Sequence, residues 1–265
     1  VTCSALVAVG LLGDKAAIPE LLQWLNEEKA GANKLPDLQL SYVAAALGKI
    51  GQPGLSGPDS REVVDALKDQ LNKKNRMILD SAVIGLGQVA PQADEKIQKD
   101  CVMMLTQVIK SDGKATSDTQ TVNFALASLG RIAGAPSCPE AVRSKAIEAL
   151  GNEFMDGKKT LTKSFAALGI AIAGMNLNES EKAPLAEKIQ QVLAKSSGDV
   201  EQRGAYVIAL GLLKDIRSAP LLQSLLAEKG LDKQLRGTAA VALGLIGDSS
   251  AIEPVRKVLK EKEDQ

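Results

Sequence analysis

One glycine returns again and again at the end of an alanine-rich apolar run, at Gly10, Gly48, Gly87, Gly130, Gly169, Gly211 and Gly244. Successive copies stand 33 to 43 residues apart, a period that belongs to chains built of stacked supersecondary units. Each run, such as Ala44-Ala-Ala-Leu-Gly48, is followed after a turn by a second run of helical period. The predicted unit is a helical hairpin, which cannot bury its apolar face alone and must stack on a neighbour. Length then counts repeats rather than domains, and 265 residues hold seven hairpins.

With the glycines as landmarks, first helices are predicted over 2–12, 40–50, 79–89, 122–132, 161–173, 203–213 and 236–246. Second helices follow over 18–25, 61–71, 95–109, 139–150, 183–193, 219–226 and 252–259. A glycine inside a helix costs about 1 kcal/mol against alanine, so its recurrence needs a compensating gain. Close approach of the next repeat is one reading, with Ala45, Ala46, Ala166, Ala167, Ala209 and Ala242 keeping the surface thin. Helix termination is the other, and it is weakened where apolar residues continue past the glycine, as at Leu245-Ile246.

In the second helices, apolar residues 8, 11 and 15 after the glycine make the inner seam, as Ile18, Leu21 and Leu25 in the first repeat and Ile252, Val255 and Leu259 in the last. Pro19, Pro220 and Pro254 fall at helix starts, where a missing amide proton is harmless. Repeats one, six and seven turn tightly through Gly13-Asp14, Lys214-Asp215 and Gly247-Asp248. Their aspartates are placed to cap the second helix or hold the turn. Repeats two to five carry longer stretches at 52–60, 91–94, 134–138 and 174–180, and connections lengthen at 29–37, 111–119 and 151–160. Such insertions either gather on one edge for recognition or are drift in loops that nothing touches.

Composition excludes several chemistries. Lys plus Arg equals Asp plus Glu at 32 each, so no global field draws the chain to nucleic acid or an anionic membrane. Aromatics at 2% leave few platforms for base stacking. Histidine is absent, which removes imidazole metal sites and Ser/His or Cys/His nucleophiles. Cys3, Cys101 and Cys138 are widely spaced without a C-x-x-C, so free thiols are expected rather than a zinc site or a disulfide framework. No cofactor and no catalytic residue are expected. The longest uncharged apolar stretch, 165–175, falls short of the roughly 20 residues a membrane span needs. A soluble chain is expected, its compartment left open with the cytoplasm favoured. Val1 begins inside a predicted helix, so the chain reads as one solenoid over 1–265 within a longer protein.

Individual side chains leave alternatives. Trp24, the lone tryptophan, fits either a partner anchor or a core position. Tyr42 and Tyr206 fit apolar packing with the hydroxyl reaching a loop. Cys3 reads as a small buried hydrophobe. Glu27-Glu28 and Glu179/Glu181 lie at helix ends, suited to solubility or the helix dipole. The charged run 257–265 is expected to cap the stack.

The segment Arg236-Gly-Thr-Ala-Ala-Val-Ala-Leu-Gly-Leu-Ile-Gly-Asp248, followed by Ala251-Ile252-Glu253-Pro254, resembles the HEAT-like repeat family first associated with phycobilisome bilin lyases. Arg203-Gly-Ala-Tyr-Val-Ile-Ala-Leu-Gly211 and Val7-Ala-Val-Gly-Leu-Leu-Gly-Asp14 are similar to the same pattern. Repeats two to five keep the A-x-x-L-G core but lose the G-D turn, which puts regular curvature in question. The resemblance implies an all-α, right-handed α-α superhelix of about seven HEAT-like hairpins, with second helices lining the concave side. Gln23, Lys68, Lys188, Gln191, Gln223, Ser224, Arg256 and Lys257 are then the candidate concave residues for a protein or peptide partner. Family branches that hold di-iron through histidines, or that excise DNA bases with a basic aromatic groove, do not fit this composition. The expectation is a non-enzymatic scaffold or adaptor. A bilin lyase or chaperone subunit holding an open-chain tetrapyrrole is the alternative, and a structural spacer the third.

Overall fold

The computed structural model describes residues 3–110, 118–197 and 199–260. Among them are fourteen α-helices in chain order: α1 (Cys3–Leu12), α2 (Ile18–Glu27), α3 (Asp37–Gly51), α4 (Gly57–Gln70), α5 (Arg76–Val89), α6 (Glu95–Lys110), α7 (Thr119–Ala133), α8 (Glu140–Asp156), α9 (Thr160–Gly174), α10 (Glu179–Lys195), α11 (Val200–Leu213), α12 (Ala219–Ala227), α13 (Lys233–Ile246) and α14 (Ile252–Lys260). The fold is all-α, seven helical hairpins in succession. Two compact units divide the chain, Val1–Ala149 and Leu150–Gln265, the division falling inside α8. In the first unit α3 packs between α1 and α5, and α5 packs on α7; in the second, α11 packs between α9 and α13.

Four first helices, α5, α7, α11 and α13, begin three residues earlier than apolar periodicity suggests, because a polar cap starts them. Asn75 accepts from the Met77 amide at 2.9 Å, Asp118 from Gln120 at 2.9 Å, Asp199 from Gln202 at 2.9 Å and Asp232 from Gln234 at 2.8 Å. Such a cap satisfies an orphan amide and is worth about 1 kcal/mol. Asn178 and Glu181 form a reciprocal capping box that starts α10. Ser56 starts α4 by accepting from the Asp59 amide, so the expected loop over 52–60 is shorter than the sequence implies.

The connection at 29–37 is not plain loop. Lys29–Ala30 (β1) and Asn33–Lys34 (β2) pair antiparallel through a turn with Gly31 at φ 61°, and Leu35 is buried behind them. In the tight hairpins, Gly13, Lys214 and Gly247 take left-handed φ values of 68°, 55° and 77°. An aspartate and one 3-10 turn follow each, at Lys15–Ala17, Ile216–Ser218 and Ser249–Ala251.

The repeat glycines lie inside their helices, and none has positive φ. What they meet is a neighbouring helix. A Cβ added at Gly10 would stand 3.1 Å from Ala46 Cα, at Gly48 2.5 Å from Gly85 Cα, at Gly87 2.8 Å from Ser128 Cα and at Gly211 2.8 Å from Ala242 Cα. In each joint the partner is the residue two before the next repeat's glycine. Gly244 has nothing within 4 Å of that position. The glycine's intrinsic cost is thereby offset by backbone approach and dispersion across the joint.

Cys3 is half-exposed rather than buried. The Tyr206 hydroxyl does not reach a loop. It accepts from Gln202 Nε2 at 2.7 Å one turn earlier, while the fully buried ring meets Phe154 edge-on at 5.3 Å. Trp24 and Tyr42 are half-buried. The Leu259 side chain, the connection over 111–117 and the predicted terminal cap over 261–265 lie outside the described residues, as do Val1 and Thr2.

Candidate interaction surface

Second helices leave polar residues outside, and α2 puts its seam of Ile18, Leu21 and Leu25 inward as expected, but in α14 the expected seam is open, with Ile252 49% exposed and Val255 half-buried. In the first unit Gln23 on α2 and Lys68 on α4 are exposed. Gln23 Nε2 donates to Glu27 Oε1 at 3.0 Å, so its amide is held along its own helix. In the second unit Lys188 and Gln191 on α10, Ser224 on α12 and Arg256 and Lys257 on α14 are exposed, and Gln223 is half-buried. Gln191 donates to Glu187 at 3.2 Å and Arg256 to Glu253 at 2.9 Å, both within one helix. Gln223 Nε2 instead crosses to Ser250 Oγ at 3.0 Å, tying α12 to the next turn. Lys68, Lys188 and Lys257 make no ion pair among the described residues and present their ammonium groups to solvent.

A polar row on the first helices escaped the sequence reading. Seven residues before the repeat glycine stand Ser41, Asp80 and Asn123 in the first unit and Thr162 in the second, all buried. Ser41 Oγ donates to the Leu38 carbonyl at 2.7 Å. Asp80 accepts from the Thr121 hydroxyl at 2.5 Å and lies 3.6 Å from Arg76, which pairs with Asp118 at 2.6 Å. Burial pushes the Asp80 carboxyl up, against the pull of the Thr121 hydroxyl and the Arg76 charge. Asn123 Oδ1 and Thr162 Oγ1 have no hydrogen-bond partner among the described residues. The signal was available as a polar position at constant offset from the glycine, hidden within runs that otherwise read as apolar.

Polar bridges also tie successive repeats. Arg61 on α4 meets Asp100 on α6 at 2.8 Å, Asn75 donates to Asp37 at 2.7 Å and Gln190 to Ser218 at 2.8 Å. Lys73 pairs with Glu28 and holds that carboxyl below its ordinary range. Exposed pairs of this kind contribute little stability, on the order of 0–1 kcal/mol each, and serve to set register. Arg143 donates to the carbonyls of Ala133, Ala135 and Cys138, closing the α7–α8 turn.

Two of the thiols are held away from solvent. Cys101 and Cys138 are buried and free, and desolvation pushes Cys101 up to about 12. Among the described residues no cluster of three metal-ligating side chains occurs, and no helix is long and apolar enough to cross a membrane.

Comparison with known proteins agrees with this architecture. Residues 186–265 match the model for HEAT repeats. No curated protein sequence matches the chain. A designed armadillo repeat protein aligns at 17% identity over 86% of this chain and 99% of its own, with a TM-score of 0.48. Another, in complex with a (KR)4 peptide, aligns at 16% identity over 86% and 99%, with a TM-score of 0.47. A mutant of Kap121p aligns at 12% identity over 97% of this chain and 26% of that one, with a TM-score of 0.58. At these identities the likeness is one of fold, and this chain spans about a quarter of the Kap121p length. The carboxyl-terminal 80 residues thus match the HEAT-repeat model, within an all-α fold similar to that of Kap121p.

Proposed function

We propose that this protein is a non-enzymatic interaction module whose second helices bind a protein or peptide. The observation that carries this reading is the division of labour in the second unit. Gly211 on the first helix α11 is spent on the joint with α13, while α10, α12 and α14 turn polar residues outward, Lys188/Gln191, Ser224 and Arg256/Lys257. Repeated outward positions on a rigid stack are what an extended partner requires. The near-absence of aromatics and the equal counts of acidic and basic residues suit a partner recognised through polar side chains and local charge, not through a polyanionic backbone.

The G-D turns at Gly13-Asp14 and Gly247-Asp248 and the Arg203 and Arg236 helix starts support placement in the phycobilisome-lyase-type branch of HEAT-like repeats. Arg236 Nε donates to the Leu226 carbonyl at 2.9 Å, binding the start of one hairpin to the end of the previous helix. That role is structural and needs no pigment.

Native mass spectrometry of the protein captured from its own host tests the proposal. A stoichiometric protein or peptide, lost when Lys188 and Arg256 are both changed to Glu while the circular dichroism spectrum is retained, is the expected result. A bound mass matching an open-chain tetrapyrrole would overturn it in favour of pigment handling.

A further inference from the structure

Two arginines hold the same place in successive hairpins of the second unit and are satisfied differently. Arg203 is the fourth residue of α11, and Arg236, thirty-three residues on, is the fourth of α13. A cation there stands near the positive end of the helix dipole and needs an acceptor to hold it. Arg236 has one, its Nε donating to the Leu226 carbonyl at 2.9 Å in the last turn of α12. The equivalent carbonyl for Arg203 is Leu193, thirty-three residues before Leu226 and in the last turn of α10, and it is already occupied. The Ser196 hydroxyl donates to it at 2.8 Å and the Ser196 amide at 3.2 Å, and a carbonyl oxygen offers only two lone pairs. Arg203 is half-buried, its Nε is shut off from solvent without a hydrogen-bond partner, and no ion pair holds its guanidinium among the described residues. Asp199 and Glu201 precede it on α11, yet neither comes within 4.0 Å of the guanidinium, and Asp199 is engaged as the helix cap, accepting from the Gln202 amide at 2.9 Å.

We infer that Arg203 is a binding residue for one carboxylate of a bound protein, an aspartate, a glutamate or a chain terminus, taken by the outer edge of the guanidinium. A planar carboxylate meets the two outer N–H groups side by side and supplies in one step the acceptors that the fold withholds. The anion also arrives at the amino end of α11, where its charge is favoured. Asp199 and Glu201 oppose a second negative charge at the same place, so the site suits a single carboxylate and not a phosphate dianion. Ser196 is a positioning residue: by filling the Leu193 carbonyl it keeps the arginine from turning inward as Arg236 does. The exposed row on α10 leads to this point. Lys188, Gln191 and Lys195 lie three and four residues apart and run toward the carbonyl end of that helix, with Glu187 beside them accepting from Gln191. That the carboxylate belongs to a protein rests on the reading of this row as a partner surface, whereas the chemistry of Arg203 does not.

NMR of the arginine Nε–H groups of the full chain, titrated with sodium acetate against sodium chloride at constant ionic strength, reads the site directly. The Arg203 signal, assigned by its absence in Arg203→Gln, is expected to move and saturate at roughly 10–100 mM acetate, as suits a single weak anchor, while the Arg236 signal stays in place. A shift no larger than chloride produces would overturn the proposal, as would inorganic phosphate binding about tenfold tighter than acetate. Ser196→Ala is expected to abolish the response as the arginine turns onto the Leu193 carbonyl, and an undiminished response would overturn the role given to Ser196. Thermal melts separate binding from a structural part. Arg203→Gln should stay within about 1 °C of the parent, whereas Arg236→Gln strands the Leu226 carbonyl and should melt about 2–4 °C lower. Equal losses would make Arg203 structural and overturn the proposal. With the partner captured from the host, Arg203→Gln should weaken binding about tenfold. A partner held as tightly by Arg203→Gln would overturn the inference and leave the interaction module standing. No captured partner, with acetate still bound at Arg203, would sink the module and the source of the carboxylate while the site itself stands.

Discussion

Two helices carry nearly the same words, Ala209-Leu-Gly-Leu in α11 and Ala242-Leu-Gly-Leu in α13, yet they occupy opposite situations. Gly211 lies against Ala242, where a Cβ would sit 2.9 Å from the alanine's own, and Gly244 looks into open space. The same residue is therefore a packing requirement in one repeat and only a propensity cost in the next. A repeat motif states a potential joint, and a neighbour decides whether it is used.

The largest effect is expected from the pair Gly211→Leu and Gly244→Leu. Overpacking the α11–α13 joint is expected to cost about 3 kcal/mol, lowering the unfolding midpoint by roughly 6–12 °C. The second substitution, followed at low protein concentration, is expected to raise it slightly because leucine is the better helix former. Equal shifts in thermal melts would show that the joint is not specific.

Gly48→Ala and Gly244→Ala sharpen the contrast with one methyl group. At Gly48 the methyl meets the Gly85 backbone at 2.5 Å and is expected to destabilise by about 1–2 kcal/mol, whereas at Gly244 it should stabilise by about 0.5–1 kcal/mol. Urea midpoints of both variants read the sign directly, and a gain at Gly48 would mean the helices separate at no cost.

The turns offer a milder test. Lys214 holds φ 55° at the place where Gly13 and Gly247 stand in the first and last hairpins. Lys214→Gly relieves that left-handed strain and should stabilise by about 1 kcal/mol. A loss of stability would mean that unfolded-chain entropy outweighs the strain.

The smallest expected effect concerns Asp80 within the α5–α7 joint. Its folded value lies above the unfolded one, so the fold favours the neutral acid, and stability contributed by this group falls as pH rises from 3.8 through the folded value. Asp80→Asn keeps an acceptor for Thr121 and removes that penalty. Its advantage over the parent should be absent near pH 4 and greatest near pH 7, as read from urea midpoints across that range. A deficit that deepens with pH would show Arg76 prevailing over burial.

Most of the fold could be read from residue order because periodicity and propensity act over one or two turns. All seven repeat glycines fall inside helices, and every second helix overlaps its predicted span. Boundaries slipped where polar caps such as Asn75, Asp118 and Asn178 begin a helix ahead of its apolar pattern. The interaction surface was far less legible. Gln23, Gln191 and Arg256 look free in a linear reading, but each meets a glutamate one turn away, and the Asp80–Thr121 contact joins residues 41 apart.

By itself the sequence determined the repeat period, the helical hairpin and the positions available for close packing, since all of these follow from local backbone preference and side-chain size. Which glycines are used, which polar groups are buried and which faces remain open emerged from the packing of one helix on another. Those properties belong to pairs of surfaces, and their energies are set by what the second surface brings into contact.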